Sequence, residues 1–249
     1  MTVDTRRHGR ILVVRLNRPE KRNAVDAATT AGLDAALNEL EDDPDLWAGV
    51  LCDTPQAFSA GTDLNDGRGE PTPRGGSYGV VRRERRTPLI AAVEGFAYGG
   101  GFEIVLSCDL VVAARTAKFA LPEVSLGVVA DCGALFRTQR ALPVNIAKQL
   151  LLTGQPLTAE RAYTLGLVNE LTEPGETEPA ALRLAEQIVA NAPVSVAESL
   201  HAVAALVDGE EQRGWDLTAE AARRVDETAD RAEGVAAFLG KRPPTWSGR

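Results

Sequence analysis

Apolar runs of two kinds, short and strand-like or long and helically spaced, alternate along this chain. Residues 3–7 and 10–16 are β-branched or apolar stretches parted by His8-Gly9 and stopped by Asn17-Arg18-Pro19, which predicts a β-hairpin. Beyond Asp26 an Ala-rich stretch carries Leu33, Ala36, Leu37 and Leu40 at helical spacing and closes at Asp42-Asp43-Pro44. Residues 47–52 read as a buried strand. From residue 53 to about 77 the chain turns to Gly, Pro, Asp and Arg, predicting a long surface loop followed by a short Arg-rich helix. Residues 89–93 predict a strand, Gly99-Gly100-Gly101 opens a helix over 102–107, and 110–113 is the next strand. Strands and helices so alternate as β-β-α units of an α/β core. Beyond Glu173-Pro174-Gly175 no strand pattern remains, and helices are expected over 179–191, 193–207, 210–228 and 230–240. The chain is therefore divided into a core, 1–175, and a helical C-terminal subdomain, 176–249.

Composition narrows the function. The 249 residues are 44% hydrophobic and 25% charged, which is ordinary for a folded chain and argues against disorder. A net charge of −8 gives no long-range attraction to nucleic acid or an anionic membrane, so neither partner is expected. Cys52, Cys108 and Cys132 are odd in number and lack CxxC spacing, so they read as reduced thiols in a cytoplasmic protein. The start has no apolar leader, and no stretch approaches ~18 uninterrupted apolar residues. With only His8 and His201, no metal site is expected and a Ser-His-Asp triad lacks material. Acid–base chemistry falls to carboxylates.

Three segments carry candidate chemistry. Tyr98-Gly99-Gly100-Gly101-Phe102-Glu103 is a Gly-rich strand-to-helix junction that frees backbone N–H groups, although the same glycines suit a tight turn. Its spacing matches neither nucleotide-phosphate fingerprint. Phe58-Ser59-Ala60-Gly61-Thr62-Asp63-Leu64 is a second place for close backbone approach to a ligand, or an ordinary turn. Leu121-Pro122-Glu123-Val124-Ser125-Leu126-Gly127 places Glu123 20 residues after Glu103.

Taken together these segments resemble the crotonase superfamily of enoyl-CoA hydratases and isomerases. Asn17-Arg18-Pro19-Glu20-Lys21-Arg22-Asn23-Ala24, Ala60-Gly61-Thr62-Asp63-Leu64, residues 99–103, Cys108-Asp109, residues 119–127 and residues 238–243 fall in that family's order and spacing. The resemblance implies a crotonase-like spiral of β-β-α units with a C-terminal helical trimerisation region, a homotrimer or dimer of trimers, and an acyl-CoA thioester substrate. It implies no separate cofactor, coenzyme A being part of the substrate. By similarity, the backbone N–H groups of Thr62 and Gly100 hold the thioester oxygen as it becomes enolate-like, which is where fixed donors lower a barrier most. Relatives often have Ala where this chain has Thr62; only the N–H is needed. Glu103 and Glu123 match the hydratase pair that binds and activates one water, Glu123 as the proton-transferring acid/base and Glu103 as the partner orienting the water. Two carboxyls sharing a water in an apolar site titrate as a pair.

Asp131 departs from a common family pattern, which has Pro and Gly where this chain has Ala130 and Asp131. It adds a third carboxylate near the acyl chain, able to move a proton at a more distant carbon or to touch a polar acyl group; alternatively it is the N-cap of a helix from Gly133 to Arg140. Lys21, Arg22 and Ala24 match the segment along the CoA adenosine and phosphates, Ala60, Asp63 and Leu64 the loop near adenine and pantetheine, and Lys241 a C-terminal lysine that reaches CoA. The basic cluster Arg82, Arg83, Arg85 and Arg86 reads as a solvated helix face. The expected activity is hydration of a trans-2-enoyl-CoA. The alternatives are a Δ3,Δ2- or dienoyl-CoA isomerase or a hydroxyacyl-CoA dehydratase such as one for carnitinyl-CoA, using Asp131, and a non-catalytic acyl-CoA-binding homologue.

Overall fold

The computed structural model describes residues 1–248. Strands β1 (Val3–His8) and β2 (Ile11–Leu16) form the expected hairpin, with Gly9 at φ +58° in its two-residue turn. Helix α1 (Ala27–Asp42) starts where Asp26 accepts a hydrogen bond from the Thr29 N–H, and its Leu33, Leu37 and Leu40 are buried as the spacing predicts. Then come β3 (Ala48–Cys52), β4 (Ala57–Ser59), β5 (Leu89–Val93), β6 (Phe96–Tyr98), α2 (Gly100–Val105), β7 (Leu110–Ala114) and β8 (Lys118–Ala120). After these lie α3 (Ala134–Ala141), α4 (Val144–Thr153), β9 (Leu157–Thr158), α5 (Ala159–Thr164), β10 (Glu170–Thr172), α6 (Thr177–Val189), α7 (Pro193–Asp226) and α8 (Ala229–Leu239).

Two sheets result, and the spiral is visible in how the chain visits them. β1-β2-β3-β5-β7-β10 form one sheet, parallel except for the hairpin; β4-β6-β8-β9 form the other, with β4, β6 and β8 parallel. From β3 to β8 each turn of chain lays its first strand in the large sheet and its second in the small one. Strands β2, β3, β5 and β7 of the large sheet are buried on both faces, so they read as near-continuous apolar runs. Leu12, Val14, Leu51, Leu89 and Ala91 face one core with α1, while Ile11, Val13, Val50, Ile90 and Ala92 face a second with Ala180, Ala181 and Ala185 of α6.

Four expectations are corrected. The loop from 53 to 77 contains β4, whose Ala57, Phe58 and Ser59 are fully buried. No Arg-rich helix follows it: a 3-10 turn at Ser77–Gly79 is followed by irregular chain. The helices expected at 193–207 and 210–228 are one helix, α7, because each of its two glycines costs only about 1 kcal/mol relative to alanine and buried Gly214 and Trp215 pack against Phe136 of α3. The boundary at 175/176 cuts inside the core, since α6 covers the second face of the large sheet. The helices that follow it, α7 and α8, pack on the core through Trp215 against Phe136 and through Gly234 against Leu126.

Candidate active site

Parallel pairing of β4, β6 and β8 puts their C-terminal ends side by side, and each end runs directly into a segment singled out in the sequence. Ala60-Gly61-Thr62 follows β4, Gly99-Gly100 follows β6, and Leu121-Pro122-Glu123 follows β8. Gly61, at φ +88°, lets the first two meet: a Cβ there would lie 2.9 Å from the Tyr98 carbonyl and 3.0 Å from the Gly100 nitrogen. The Gly99 N–H donates to the Ala120 carbonyl at 2.9 Å, tying the second to the third. The N–H groups of Thr62 and Gly100 donate to no partner among the described residues. They are neighbouring, uncommitted donors, the arrangement that could hold an oxygen gathering negative charge.

Glu103 sits in the first turn of α2 and is 1% exposed. Its Oε1 accepts from the backbone N–H groups of Cys132 at 2.7 Å and Ala134 at 3.0 Å, so the chain just before α3 pins one carboxyl oxygen and the orientation of the other. Burial raises the Glu103 pKa, the nearby Glu123 charge raises it further, and the two N–H bonds oppose them. Glu123 begins the 3-10 turn Pro122–Leu126; its Oε2 is shielded from solvent and has no hydrogen-bond partner among the described residues. Its pKa too is raised by burial, with Asp131 adding repulsion. Of two such carboxyls, one retains a proton near neutrality.

Tyr78, not singled out in the sequence, completes this wall. It is 2% exposed, its backbone lies at φ +58°, and its hydroxyl is 2.8 Å from Thr62 Oγ1. The hydroxyl lies so near Gly100 that a Cβ there would collide with it. Burial pushes the phenol pKa well up, so it remains a neutral donor. The signal was an aromatic residue set among Gly75, Gly76 and Gly79, in a loop read only as turn-forming.

Asp131 is neither the helix N-cap, a position taken by Gly133, nor a free carboxylate. Arg68 grips it with two parallel bonds, Nη1 to Oδ1 at 2.7 Å and Nη2 to Oδ2 at 2.9 Å, and Nη1 also donates to Cys132 Sγ at 3.2 Å. Burial alone would raise the Asp131 pKa, but the guanidinium outweighs it and holds the carboxyl below its ordinary range. An acid so held gives up its proton early and accepts one poorly, which weighs against the alternative in which Asp131 moves a proton. Donor atoms of Glu103, Asp131 and Cys132 lie within 4.8 Å of one another, and Arg68 is the cation that serves two of them.

The two expected CoA-binding segments lie together. Ala60 N–H donates to the Arg22 carbonyl, Val25 N–H to Gly61, and Asp63 N–H to Val25, so residues 22–25 run beside 60–63 like an added strand. Lys21, Arg22, Ala60 and Leu64 are exposed along this seam, and Ala24 is half-buried. Asp63 is not available as a ligand side chain: it is buried, ion-paired to buried Arg18 at 2.7 Å, and accepts from the Asn65 N–H. Arg18 also reaches Asp26 and the Ala24 carbonyl, so this cluster staples the two segments. Lys241 is exposed just after α8, whose Gly234 lies hard against the Leu126 carbonyl beyond Glu123. The arginine cluster is solvated only in part: Arg82, stacked over Trp215, and Arg86 are exposed, whereas Arg83 is buried on Asp34 and Asn38 and Arg85 pairs with Asp109. Two open surface clefts, of about 400 and 320 Å³, lie elsewhere and include none of Thr62, Tyr78, Gly100, Glu103, Glu123 and Asp131.

Comparison with known proteins agrees with this geometry. Residues 6–249 match the enoyl-CoA hydratase/isomerase family. The chain is 35% identical over 244 residues to a short-chain-enoyl-CoA hydratase of Clostridium acetobutylicum, covering 95% of this chain and 94% of that protein. It is 36% identical over 253 residues to a carnitinyl-CoA dehydratase of Salmonella arizonae, covering 97% of each. The crystal structure of a carnitinyl-CoA hydratase from Mycobacterium avium superposes with a TM-score of 0.95 at 38% identity, over 100% of this chain and 99% of that one.

Proposed function

The chain belongs to the enoyl-CoA hydratase/isomerase family, and from that premise we propose that it is a hydro-lyase adding water reversibly to a trans-2-enoyl-CoA thioester. The observation that carries the reading is the carboxyl pair: Glu103, buried and pinned by two backbone N–H groups, beside Glu123, whose shielded Oε2 is unpartnered among the described residues. Bound between them, a water is oriented by Glu103. Its oxygen bonds to the β-carbon while Glu123 relays a proton to the α-carbon. The charge that gathers on the thioester oxygen falls to the N–H groups of Thr62 and Gly100. Raised pKa values let the pair hold one proton at neutral pH, the state acid–base work needs.

Run backward, the same chemistry dehydrates a 3-hydroxyacyl-CoA, the direction named for the Salmonella arizonae relative. The geometry disfavours isomerisation through Asp131, whose oxygens Arg68 engages. A binding-only homologue would have no use for two buried, high-pKa carboxyls.

Lys21, Arg22 and Lys241 are the cations we assign to the CoA phosphates; no cofactor beyond the substrate's own CoA is invoked. Exposed Val203, Leu206 and Leu217 of α7 and Phe238 and Leu239 of α8 support assembly as a homotrimer or dimer of trimers. Among the described residues no single helix is long and apolar enough to cross a membrane, and reduced Cys52, Cys108 and Cys132 suit the cytoplasm. The test is loss of the conjugated thioester absorbance of crotonyl-CoA, with mass analysis for added water. Hydration lost in Glu123→Gln supports the reading, and an unchanged rate in that variant overturns it.

A further inference from the structure

We infer that the Arg68–Asp131 ion pair selects acyl-CoA substrates whose chain bears an uncharged, hydrogen-bonding substituent, such as a hydroxyl, on the carbons just beyond the double bond. This rests on the hydration reading, because that reading sets the double bond beside Glu103. Asp131 is joined in sequence to Cys132, whose N–H holds Glu103, and donor atoms of all three lie within 4.8 Å of one another. With the thioester oxygen on the N–H groups of Thr62 and Gly100 and the β-carbon facing the glutamates, the next carbons of the chain meet this pair.

The pair has capacity left for a ligand. Arg68 uses Nη1 on Asp131 and Cys132 and Nη2 on Asp131, whereas a guanidinium has five N–H donors. Asp131 Oδ2 accepts one bond, from Arg68, and has room for a second. The two side chains are 29% and 37% exposed, so a substrate reaches them. A hydroxyl donates to Asp131 and accepts from Arg68 at once.

Other substituents fare worse. An alkyl tail strips water from two charges and returns no hydrogen bond. A quaternary ammonium, as the carnitinyl group carries, meets a carboxylate already neutralised and a guanidinium that repels it; a carboxylate is repelled by Asp131 in the same way. Selectivity arises from the unfavourable partner as much as from the favourable one. Arg68 cannot easily swing away. Its own carbonyl accepts from Thr30 Oγ1 at 2.6 Å, its neighbour Gly69 packs on Ala27, and its guanidinium lies 5.6 Å above the Tyr78 ring.

The experiment uses the full chain with crotonyl-CoA and its 4-hydroxy, 4-trimethylammonio and 4-carboxy derivatives, together with trans-2-decenoyl-CoA. Kd is also measured for the saturated analogues, which need no turnover. We expect the 4-hydroxy compound to lead the cation, the anion and the long chain by about tenfold in both kcat/KM and Kd. Arg68→Met moves preference toward the cation and Asp131→Asn toward the anion, each by about tenfold, while Arg68→Lys retains the original order. A wild-type protein that prefers the cation or the decenoyl chain overturns the inference, as does an order that neither variant disturbs. Binding in the expected order without any hydration instead overturns the hydratase reading and leaves the selectivity intact.

Discussion

The backbone N–H of Cys132 lies 2.7 Å from Oε1 of Glu103, so a peptide group 29 residues along the chain fixes the orientation of a buried carboxyl that nothing on its own helix constrains. That bond ties the proton chemistry to the segment that also carries Asp131. The proposed selectivity and the proposed catalysis therefore share one stretch of chain.

Glu103→Gln and Glu123→Gln should each lower kcat by about a hundredfold or more, the usual worth of a positioned acid or base. Near-wild-type circular dichroism should accompany the loss. Because burial raises both carboxyls, with repulsion from Glu123 adding at Glu103 and from Asp131 at Glu123, the wild-type kcat/KM should be bell-shaped in pH. At low pH both are protonated and no base remains; at high pH both are ionised and no acid remains. Either single variant should lose one limb of the bell.

Stability should show the opposite preference. The folded pKa of Glu103 is raised above its unfolded value, so this group's stabilising contribution is complete below the unfolded pKa and is lost as pH rises through the folded one. Glutamine keeps the acceptor for Cys132 and Ala134 without the charge. Melting at pH 9 should therefore favour Glu103→Gln over wild type by about 3 °C, with the gap closing at pH 5. A constant difference across pH contradicts this account.

Gly100→Ala drives a Cβ into the Tyr78 hydroxyl and should reduce kcat by about a hundredfold, as loss of an oxyanion donor does. Tyr78→Phe removes the contact with Thr62 Oγ1 but leaves both N–H donors. Its expected effect is smaller, about tenfold on kcat with KM little moved. Steady-state kinetics on crotonyl-CoA separate the two.

Arg18→Met leaves the buried Asp63 carboxylate without its partner and should cost about 2–3 kcal/mol by urea denaturation. Asp63→Asn in the same chain should restore part of that loss. If Asp63 instead acts as a ligand side chain, its variant weakens CoA binding without touching stability.

Cys52 is buried, and that burial pushes its thiol up to about 12. Labelling by a thiol reagent at pH 8 should be slow in the native protein and fast after unfolding.

What the sequence determined by itself was whatever repeats locally or sits in a motif. Strand Leu89–Val93, the Asp26-capped helix and the glycine junction before Glu103 are set by residues within a few positions of one another, so spacing and turn chemistry reveal them. Resemblance over the whole chain then pointed to a candidate acyl-CoA site, and parallel β4, β6 and β8 bring Thr62, Gly100 and Glu123 to neighbouring strand ends. Tertiary structure alone decided the rest. Arg68 meets Asp131 across 63 residues, Tyr78 reaches Thr62 from a loop without periodicity, and Arg83 is buried although its neighbours read as a solvated face. Such pairs form only when distant segments are closed onto each other, and a charge or hydroxyl in the sequence does not state whether its partner will be water or protein. Helix α7 runs on through two glycines for a related reason: packing on α3 outweighs weak positions, and packing is not written in local propensity.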